Sequence, residues 1–377
     1  MINSALKLNY ELYSTSYFST SDTPQIKNQK IILNEKNNES CGIFEDEFSS
    51  ENILEISKDY IDEVDYIIPI SGVSPSDFKS KVQKKILGNV NVGDIEDKLK
   101  FYKKIQGEFQ TPKTFSVSDI DEAFEINENY PNVQFILKPL QGSGGYDVNL
   151  LNNESNFQFN DSKFIMQEYI QGINLSSSIL SNKNNSKLIT NTRLLTLNDY
   201  NQKNNFIYSG NILPLTNKIV KNDVEINNEM ERISKELSKK FKLIGSNGVD
   251  YILNENGLYV IEINPRIQGT FECVEKSFGI NMLDAHIKAC KGELIEIPKA
   301  KYYSYKKIIY SPTRNKYQKQ VLDNIYDLPH IGSITEKDEP LLTIIDKSSD
   351  FERLCKKVEL TSEIVKKNAI KFQLDKE

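Results

Sequence analysis

The stretch "NGVDYILNENGLYVIEINPRIQG", residues 247–269, decides the fold. Val260, Ile261 and Ile263 are typical of a buried β-strand. Glu262 stands among them, and burying an unpaired carboxylate is costly. An arginine, a metal ion or a proton must therefore neutralise Glu262.

The sequence before this strand predicts its hairpin partner. A three-residue loop at 255–257 pairs Asn254 with Leu258 and places Asp250 opposite Glu262. Facing carboxylates repel each other, and a divalent ion between them removes the repulsion. Two alternatives stay open. Arg266 could pair with Glu262, or a two-residue turn could point Asp250 to the other face of the hairpin.

A glycine-rich loop, "QGSGGYDV" at 141–148, follows a predicted strand at 133–140. It lacks the Gly-Lys-Ser/Thr of a phosphate-binding P-loop, and Asp147 stands where a dinucleotide fingerprint needs glycine. Such a loop is often only a turn. Lys138, at the end of the strand beside it, favours polyphosphate binding, because backbone N–H groups and a lysine together suit phosphate oxygens.

Bulk composition excludes several classes of protein. The chain has 377 residues, 38% hydrophobic and 27% charged, which is typical of a globular protein with two or three domains. A net charge of −6 gives no electrostatic case for nucleic acid. No signal peptide or membrane-spanning run is visible, and the four scattered cysteines indicate reduced thiols. We therefore expect a cytoplasmic protein with no membrane or nucleic-acid partner; a homodimer stays open.

The order of predicted elements gives a mixed α/β and α+β protein. A small parallel α/β domain spans 1–93, with a buried strand at 65–72. Such domains usually begin with a strand, whereas this sequence begins with a predicted helix, so we expect a missing first strand or a reduced domain. A second domain spans 94–298, with subdomains at 108–172 and 173–298, and a β-rich segment with a final helix spans 299–377.

Taken together, these motifs resemble the ATP-grasp superfamily of ATP-dependent carboxylate ligases. The resemblance rests on "ILKPLQGSGG", "MQEYIQG" and "GVDYILNENGLYVIEINPR" in that order, and it covers roughly residues 94 to 295. Within the superfamily, the chain looks like the archaeal carboligase branch related to biotin carboxylase and to tyramine–glutamate ligase. The small domain at 1–93 matches the α/β domain that precedes ATP-grasp domains.

The resemblance implies ATP and Mg²⁺, with Mn²⁺ as an alternative, and it implies roles for individual residues. The metal ligands would be Asp250, Glu262 and Asn264, and the reacting acyl phosphate would be held by Arg266 and Gln268. The implied ATP-binding residues are Lys98 and Lys138 at the phosphates, Gln141, Gly142, Ser143, Gly144 and Gly145 in the mobile loop, Gln167, Glu168, Tyr169 and Ile170 at the adenine hinge, and Asn174 after it.

Departures from the family pattern bear on function. The ribose-binding acid is either replaced by Asn174 or supplied from elsewhere in the chain, and Gln167 is the candidate for the displaced hinge glutamate. Thr270 stands where biotin carboxylase has its bicarbonate glutamate, with Glu272 two residues further on. Arg193, on a predicted strand, is open to two interpretations, a phosphate or substrate contact and a surface residue.

The preferred function is an ATP-dependent ligase that joins a small-molecule carboxylate to an amine through an acyl phosphate. A carboligase that forms carboxyphosphate and a non-catalytic ATP-binding regulator are the alternatives. ADP release that needs bicarbonate would indicate the carboligase, and ATP binding without turnover would indicate the regulator.

Overall fold

The computed structural model describes residues 1–33, 49–70, 72–142, 144–152, 164–200, 206–320 and 322–374. The strands are β1 Tyr13–Ser16, β2 Asn28–Ile31, β3 Thr114–Val117, β4 Phe135–Pro139, β5 Asn149–Leu150, β6 Phe164–Glu168, β7 Ile173–Ser181, β8 Ser186–Thr196, β9 Tyr208–Leu213, β10 Gly245–Asn254, β11 Gly257–Asn264, β12 Tyr303–Tyr310, β13 Asn315–Lys316, β14 Ile325–Tyr326, β15 Ile334–Thr335 and β16 Pro340–Ser348.

Helices alternate with these strands. The α-helices are α1 Ile2–Ala5, α2 Ser50–Ile56, α3 Lys58–Glu63, α4 Ser80–Gln83, α5 Gly93–Glu96, α6 Lys98–Ile105, α7 Ile120–Glu128, α8 Asp223–Phe241, α9 Phe271–Phe278, α10 Met282–Cys290 and α11 Phe351–Lys371. Within the described ranges, no helix is both long and apolar enough to cross a lipid bilayer.

The chain divides into two compact units. Unit 1 comprises residues 1–90, 211–214 and 269–377, and unit 2 comprises residues 91–210 and 215–268. Unit 1 therefore gathers the two ends of the chain. The predicted boundaries at 93 and 298 stay a prediction.

Unit 1 is tied together by contacts between its N-terminal and C-terminal segments. Ser4 donates a hydrogen bond to Glu275 (2.7 Å), and Asn281 donates to the Ser4 carbonyl (2.8 Å). A ring nitrogen of His286 lies 3.1 Å from the carbonyl oxygen of Leu87, and burial lowers the pKa of this histidine. His286 is thus a packing residue.

The parallel pairing predicted for the N-terminal segment is present but short. β1 and β2 pair in parallel, Tyr13 with Asn28 through Ser16 with Ile31. The buried strand predicted at 65–72 is wrong, because the described residues of this segment, 65–70 and 72, form only a single bridge, from Ile67 to Ile86. Pro69 has no N–H to donate to a ladder, which limits pairing in this segment.

The C-terminal part of unit 1 is a sheet covered by a helix, as predicted for 299–377. β16 pairs with both β12 and β14 in antiparallel fashion. α11 carries Leu354, Val358 and Val365 as fully buried side chains. Their spacing of four and seven residues gives α11 one apolar face.

Unit 2 contains two antiparallel sheets. The smaller has the order β3-β6-β4-β5 and packs against α7 through Val117, Ala123 and Phe135. In the larger, β11, β10, β7 and β8 follow one another as neighbours. α8 covers one face of this sheet, and its apolar side chains Met230, Ile233 and Leu237 are buried there. The opposite face carries the polar residues described below.

The β10–β11 hairpin reaches the predicted register by a different route. Asn254 pairs with Gly257, so the turn has two residues and the predicted three-residue loop is wrong. Such a turn alone would send Asp250 to the other face. A β-bulge follows, because Tyr251 pairs with Val260 but Asp250 pairs with Glu262, and Ile261 is the extra residue. The bulge restores the facing carboxylates.

Candidate active site

Two carboxylates and an amide meet on the polar face of the β10–β11 hairpin. Asp250 lies opposite Glu262 in the ladder, and the Asn264 amide nitrogen donates to Asp250 Oδ2 at 2.8 Å. Ser176, on β7, donates to Asp250 Oδ1 at 2.6 Å. The strand register therefore brings the three expected metal ligands together on one surface.

The electrostatics of this group favour a bound cation. Burial, and next the Glu262 charge, raise the pKa of Asp250 from 3.8 to about 7, while the Ser176 and Asn264 hydrogen bonds and the Arg266 charge oppose that rise. Among the described residues, no three His, Cys, Asp or Glu side chains cluster as a metal site. Two carboxylates and one amide oxygen nevertheless fit Mg²⁺ that shares phosphate oxygens, so the donor set suits the implied metal.

Lys138, on the smaller sheet, lies close enough to Glu262 for the Glu262 charge to act on it. It is buried on β4, and burial together with the Lys98 charge lowers its pKa to about 8, while Glu262 acts in the opposite sense. Lys98, at the start of α6, donates to the Gly142 carbonyl at 2.8 Å. The structure thus places two lysines beside the glycine loop and one of them near Glu262.

The glycine loop needs its glycines for both conformation and space. Gly142, Gly144 and Gly145 all have positive φ, of 137°, 73° and 79°. The Tyr208 N–H donates to the Gly144 carbonyl at 2.8 Å, and a Cβ on Gly145 would lie 2.0 Å from the Phe206 carbonyl oxygen. The described part of the loop therefore packs against the start of β9. Gln141, the first residue of the loop, is exposed, and Ser143 lies outside the described residues.

The predicted adenine hinge follows β6. Gln167 is buried and donates to the Thr114 hydroxyl at 2.7 Å, so its side chain belongs to the packing between β3 and β6. Glu168 accepts from the Lys113 N–H at 3.1 Å, and the Tyr169 N–H donates to the Gln134 carbonyl at 2.7 Å. Ile170 is buried beyond them. An adenine role for the four hinge residues, 167–170, stays a prediction.

The Gln268 side chain is held in the site by hydrogen bonds to two serines that the sequence analysis missed. Its Oε1 accepts from Ser178 at 2.7 Å, and its Nε2 donates to Ser176 at 3.3 Å. A Cβ on Gly248 would lie 1.5 Å from Gln268 Nε2, so only glycine fits beneath the amide. The serines in "NLSSSILS" were visible in the sequence, but the strand register was needed to show which ones face the site.

Arg266 and Asn174 lie close to this group, whereas Arg193 does not. Arg266 is half-buried and near enough to influence Asp250. Within the described chain, Arg266 forms no ion pair with Glu262, so the alternative in which Arg266 neutralises Glu262 is wrong. Asn174 is two residues before Ser176 on β7 and shares its face.

Arg193 is turned away from the metal ligands. It pairs across the sheet with Leu175, which belongs to the α8-covered core, and its guanidinium binds Asp199 at 2.9 Å. Since successive residues of a strand face opposite sides of a sheet, Leu175 and Arg193 project away from Ser176. The structure does not bring Arg193 together with Asp250.

Comparison with known families agrees with this geometry. Residues 95–270 match the family model described as the ATP-grasp domain. This part of the chain is an ATP-grasp domain. The matched range contains every predicted metal and ATP residue, and the expectation of ATP-grasp membership is confirmed.

Two relatives from one archaeal organism are similar to this chain in sequence. The chain is 29% identical over 357 residues to an uncharacterized protein of Methanocaldococcus jannaschii, covering 93% of this chain and 86% of that relative. It is 30% identical over 156 residues to tyramine–L-glutamate ligase of the same organism, which covers 40% of this chain and 41% of that relative.

A solved structure shares the overall fold. It is N5-carboxyaminoimidazole ribonucleotide synthetase from Thermotoga maritima, with a TM-score of 0.69 at 15% identity, covering 96% of this chain and 94% of that one. At this identity the likeness shows the fold alone. The chain thus has the ATP-grasp fold.

Proposed function

We propose that this protein is an ATP-dependent carboxylate–amine ligase that works through an acyl phosphate and converts ATP to ADP and phosphate. The observation that carries the proposal is the group formed by Asp250, Glu262 and Asn264, with Lys138 near Glu262. Arg266 and Gln268 follow this group directly in the chain. A protein that only binds nucleotide has no need of the last two residues.

The first step joins two anions, a substrate carboxylate and the γ-phosphate. Mg²⁺ bound by the three ligands would neutralise phosphate charge. Lys138 and Arg266 add positive charge where the transferring group becomes crowded with anionic oxygens, which is the main requirement of phosphoryl transfer. The carboxylate oxygen forms a bond to phosphorus, and ADP leaves.

The second step transfers the acyl group to nitrogen. An amine attacks the acyl carbon, phosphate leaves with the original carboxylate oxygen, and the amine loses a proton. Water would destroy the acyl phosphate, so the site must close over it. The glycine loop is the segment suited to this task, because Lys98 and Tyr208 already bind its backbone from two sides.

Two observations support an amide product over carboxyphosphate. Tyramine–L-glutamate ligase, a partial relative, carries an amine and an amino acid in its name. Moreover, Glu272, the glutamate available after Gln268, accepts from Lys306 at 3.2 Å within unit 1. The Lys306 charge lowers the pKa of Glu272 against the effect of burial, so this carboxylate is already engaged in an ion pair.

The test is ADP release from Mg·ATP with pooled carboxylates and amines, including L-glutamate with tyramine. Glu262→Gln should abolish release, whereas Glu255→Gln, in the exposed turn of the same hairpin, should behave as wild type. With an ¹⁸O-labelled carboxylate, one label should appear in the released phosphate. Release that needs bicarbonate instead of a carboxylate would indicate carboxyphosphate, and ATP binding without release would indicate a regulator.

A further inference from the structure

A continuous chain of hydrogen bonds runs beneath the proposed phosphoryl site. Ser178 donates to Gln268 Oε1 (2.7 Å), Gln268 Nε2 donates to Ser176 Oγ (3.3 Å), and Ser176 donates to Asp250 Oδ1 (2.6 Å). Asp250 Oδ2 accepts from Asn264 at 2.8 Å. The chain joins the expected acyl-phosphate glutamine to the expected metal carboxylate.

The direction of these bonds is fixed by the carboxylate. Asn264 donates to Asp250 Oδ2, and the single hydroxyl proton of Ser176 is donated to Asp250 Oδ1. Ser176 can then only accept from Gln268, which forces the amide nitrogen toward Ser176 and the amide oxygen toward Ser178. Both serines are buried, at 3% and 2% exposure, so water does not replace either partner.

The orientation of the Gln268 amide determines whether a ligand meets a hydrogen-bond donor or an acceptor. A glutamine nitrogen carries two hydrogens, and one goes to Ser176, which leaves the second for a bound phosphate oxygen. The reversed amide would present its carbonyl oxygen to the same anion. A donor attracts an oxyanion and an acceptor repels it, so the orientation of the amide alone changes the contact from favourable to unfavourable.

We propose that Ser178 and Ser176 are positioning residues that lock Gln268 as a hydrogen-bond donor to the transferred phosphoryl group. The proposal rests on the proposed ligase function and deepens it. Gly248 completes the arrangement, because it is the cross-strand partner of Ser178 and leaves room for the Gln268 amide above the sheet.

A matched control lies between the two serines. Ser177 is equally buried, but it projects from the opposite face, where it donates to the Asn191 side chain at 2.6 Å. Ser177→Ala therefore removes a buried hydroxyl from the same strand without touching the Gln268 chain. Ser178→Thr keeps the hydroxyl and serves as the conservative variant.

The experiment is calorimetric titration with Mg·ADP, without and with beryllium fluoride as a phosphoryl mimic. For wild type, Ser177→Ala and Ser178→Thr, we expect the fluoride complex to tighten binding. Ser178→Ala should bind Mg·ADP within about twofold of wild type but lose about 10- to 100-fold of that tightening, the usual cost of removing a residue that orients a ligand-binding group.

Two further variants test the mechanism. Gly248→Ala should displace the amide and reproduce Gln268→Ala, and Ser178→Ala should add nothing in a Gln268→Ala background, because the hydroxyl acts only through that amide.

Three results would overturn the proposal: full tightening in Ser178→Ala, equal losses in Ser178→Ala and Ser177→Ala, or a wild type that beryllium fluoride does not tighten. The ligase function fails separately, if wild type tightens with the mimic yet releases no ADP with any substrate pool.

Discussion

Replacing Asp250 by asparagine should stabilise the metal-free protein at alkaline pH. The pKa of Asp250 is about 7 in the folded chain, against an ordinary value of 3.8. Between these values the folded chain keeps a proton that the unfolded chain has released, so stability falls as pH rises through that window and levels off above it. At 1.36 kcal/mol per pKa unit, the loss at pH 8 is roughly 4 kcal/mol. Asparagine mimics the protonated carboxyl and removes this loss.

The assay is urea unfolding in EDTA at intervals from about pH 4.5 to about pH 8.5. The stabilities of wild type and Asp250→Asn should differ least near the acid end and diverge progressively up to about pH 7. Asp94→Asn is the control, because Lys104 lowers the pKa of Asp94 and its stabilisation is instead lost as pH falls. Parallel pH profiles for wild type and Asp250→Asn would show that burial does not perturb Asp250, and the electrostatic case for a cation there would fail.

Three further perturbations probe the loop, the bulge and the phosphate lysine. Gly145→Ala should raise the KM for ATP about tenfold or more through its clash with Phe206. Gly107→Ala, with a φ of 80° against 79° for Gly145 but no neighbour within 4 Å, should leave the KM unchanged; equal effects of the two variants would show that backbone strain, and not the clash, is responsible. Deleting Ile261 should abolish Mn²⁺ binding measured by electron paramagnetic resonance, while Ile261→Val retains it; binding by the deletion variant would contradict the bulge assignment. Above about pH 8, ATP binding should be accompanied by proton uptake in wild type but not in Lys138→Arg, because the pKa of Lys138 is about 8. Calorimetry in buffers of different ionisation enthalpy measures this uptake, and equal uptake by the two proteins would show that Lys138 is not the group that takes up the proton.

The sequence predicted the facing carboxylates for a partly mistaken reason. Asp250 and Glu262 do face each other, but a two-residue turn and a bulge replace the predicted three-residue loop. The spacing of apolar residues already contained the bulge: the buried residues Leu258 and Val260 are two positions apart, whereas Ile263 is three positions further on. Because the extra residue, 261, is itself apolar, it hid the change of face.

Other parts of the site depended on strand pairing that local patterns do not encode. The resemblance to ATP-grasp proteins, and not a local pattern, implied that Lys138 and the glycine loop act together with the metal ligands. Which face Arg193 or Ser178 occupies depends on the register between β7 and β8, which one residue of slip would reverse. For this reason, the sequence alone could neither exclude Arg193 nor identify the serines that orient Gln268.

Unit 1 is built from segments at both ends of the chain, and this has a consequence for synthesis of the chain on the ribosome. Ser4 and Leu87 each form hydrogen bonds with residues at 275–286, and the unit continues to residue 377. Unit 2 lies almost wholly between these segments, so its residues emerge first as a complete set. At typical elongation rates, the first 90 residues wait roughly 15 to 60 seconds for the rest of their unit. During that interval their apolar surfaces need a chaperone or the growing chain as cover.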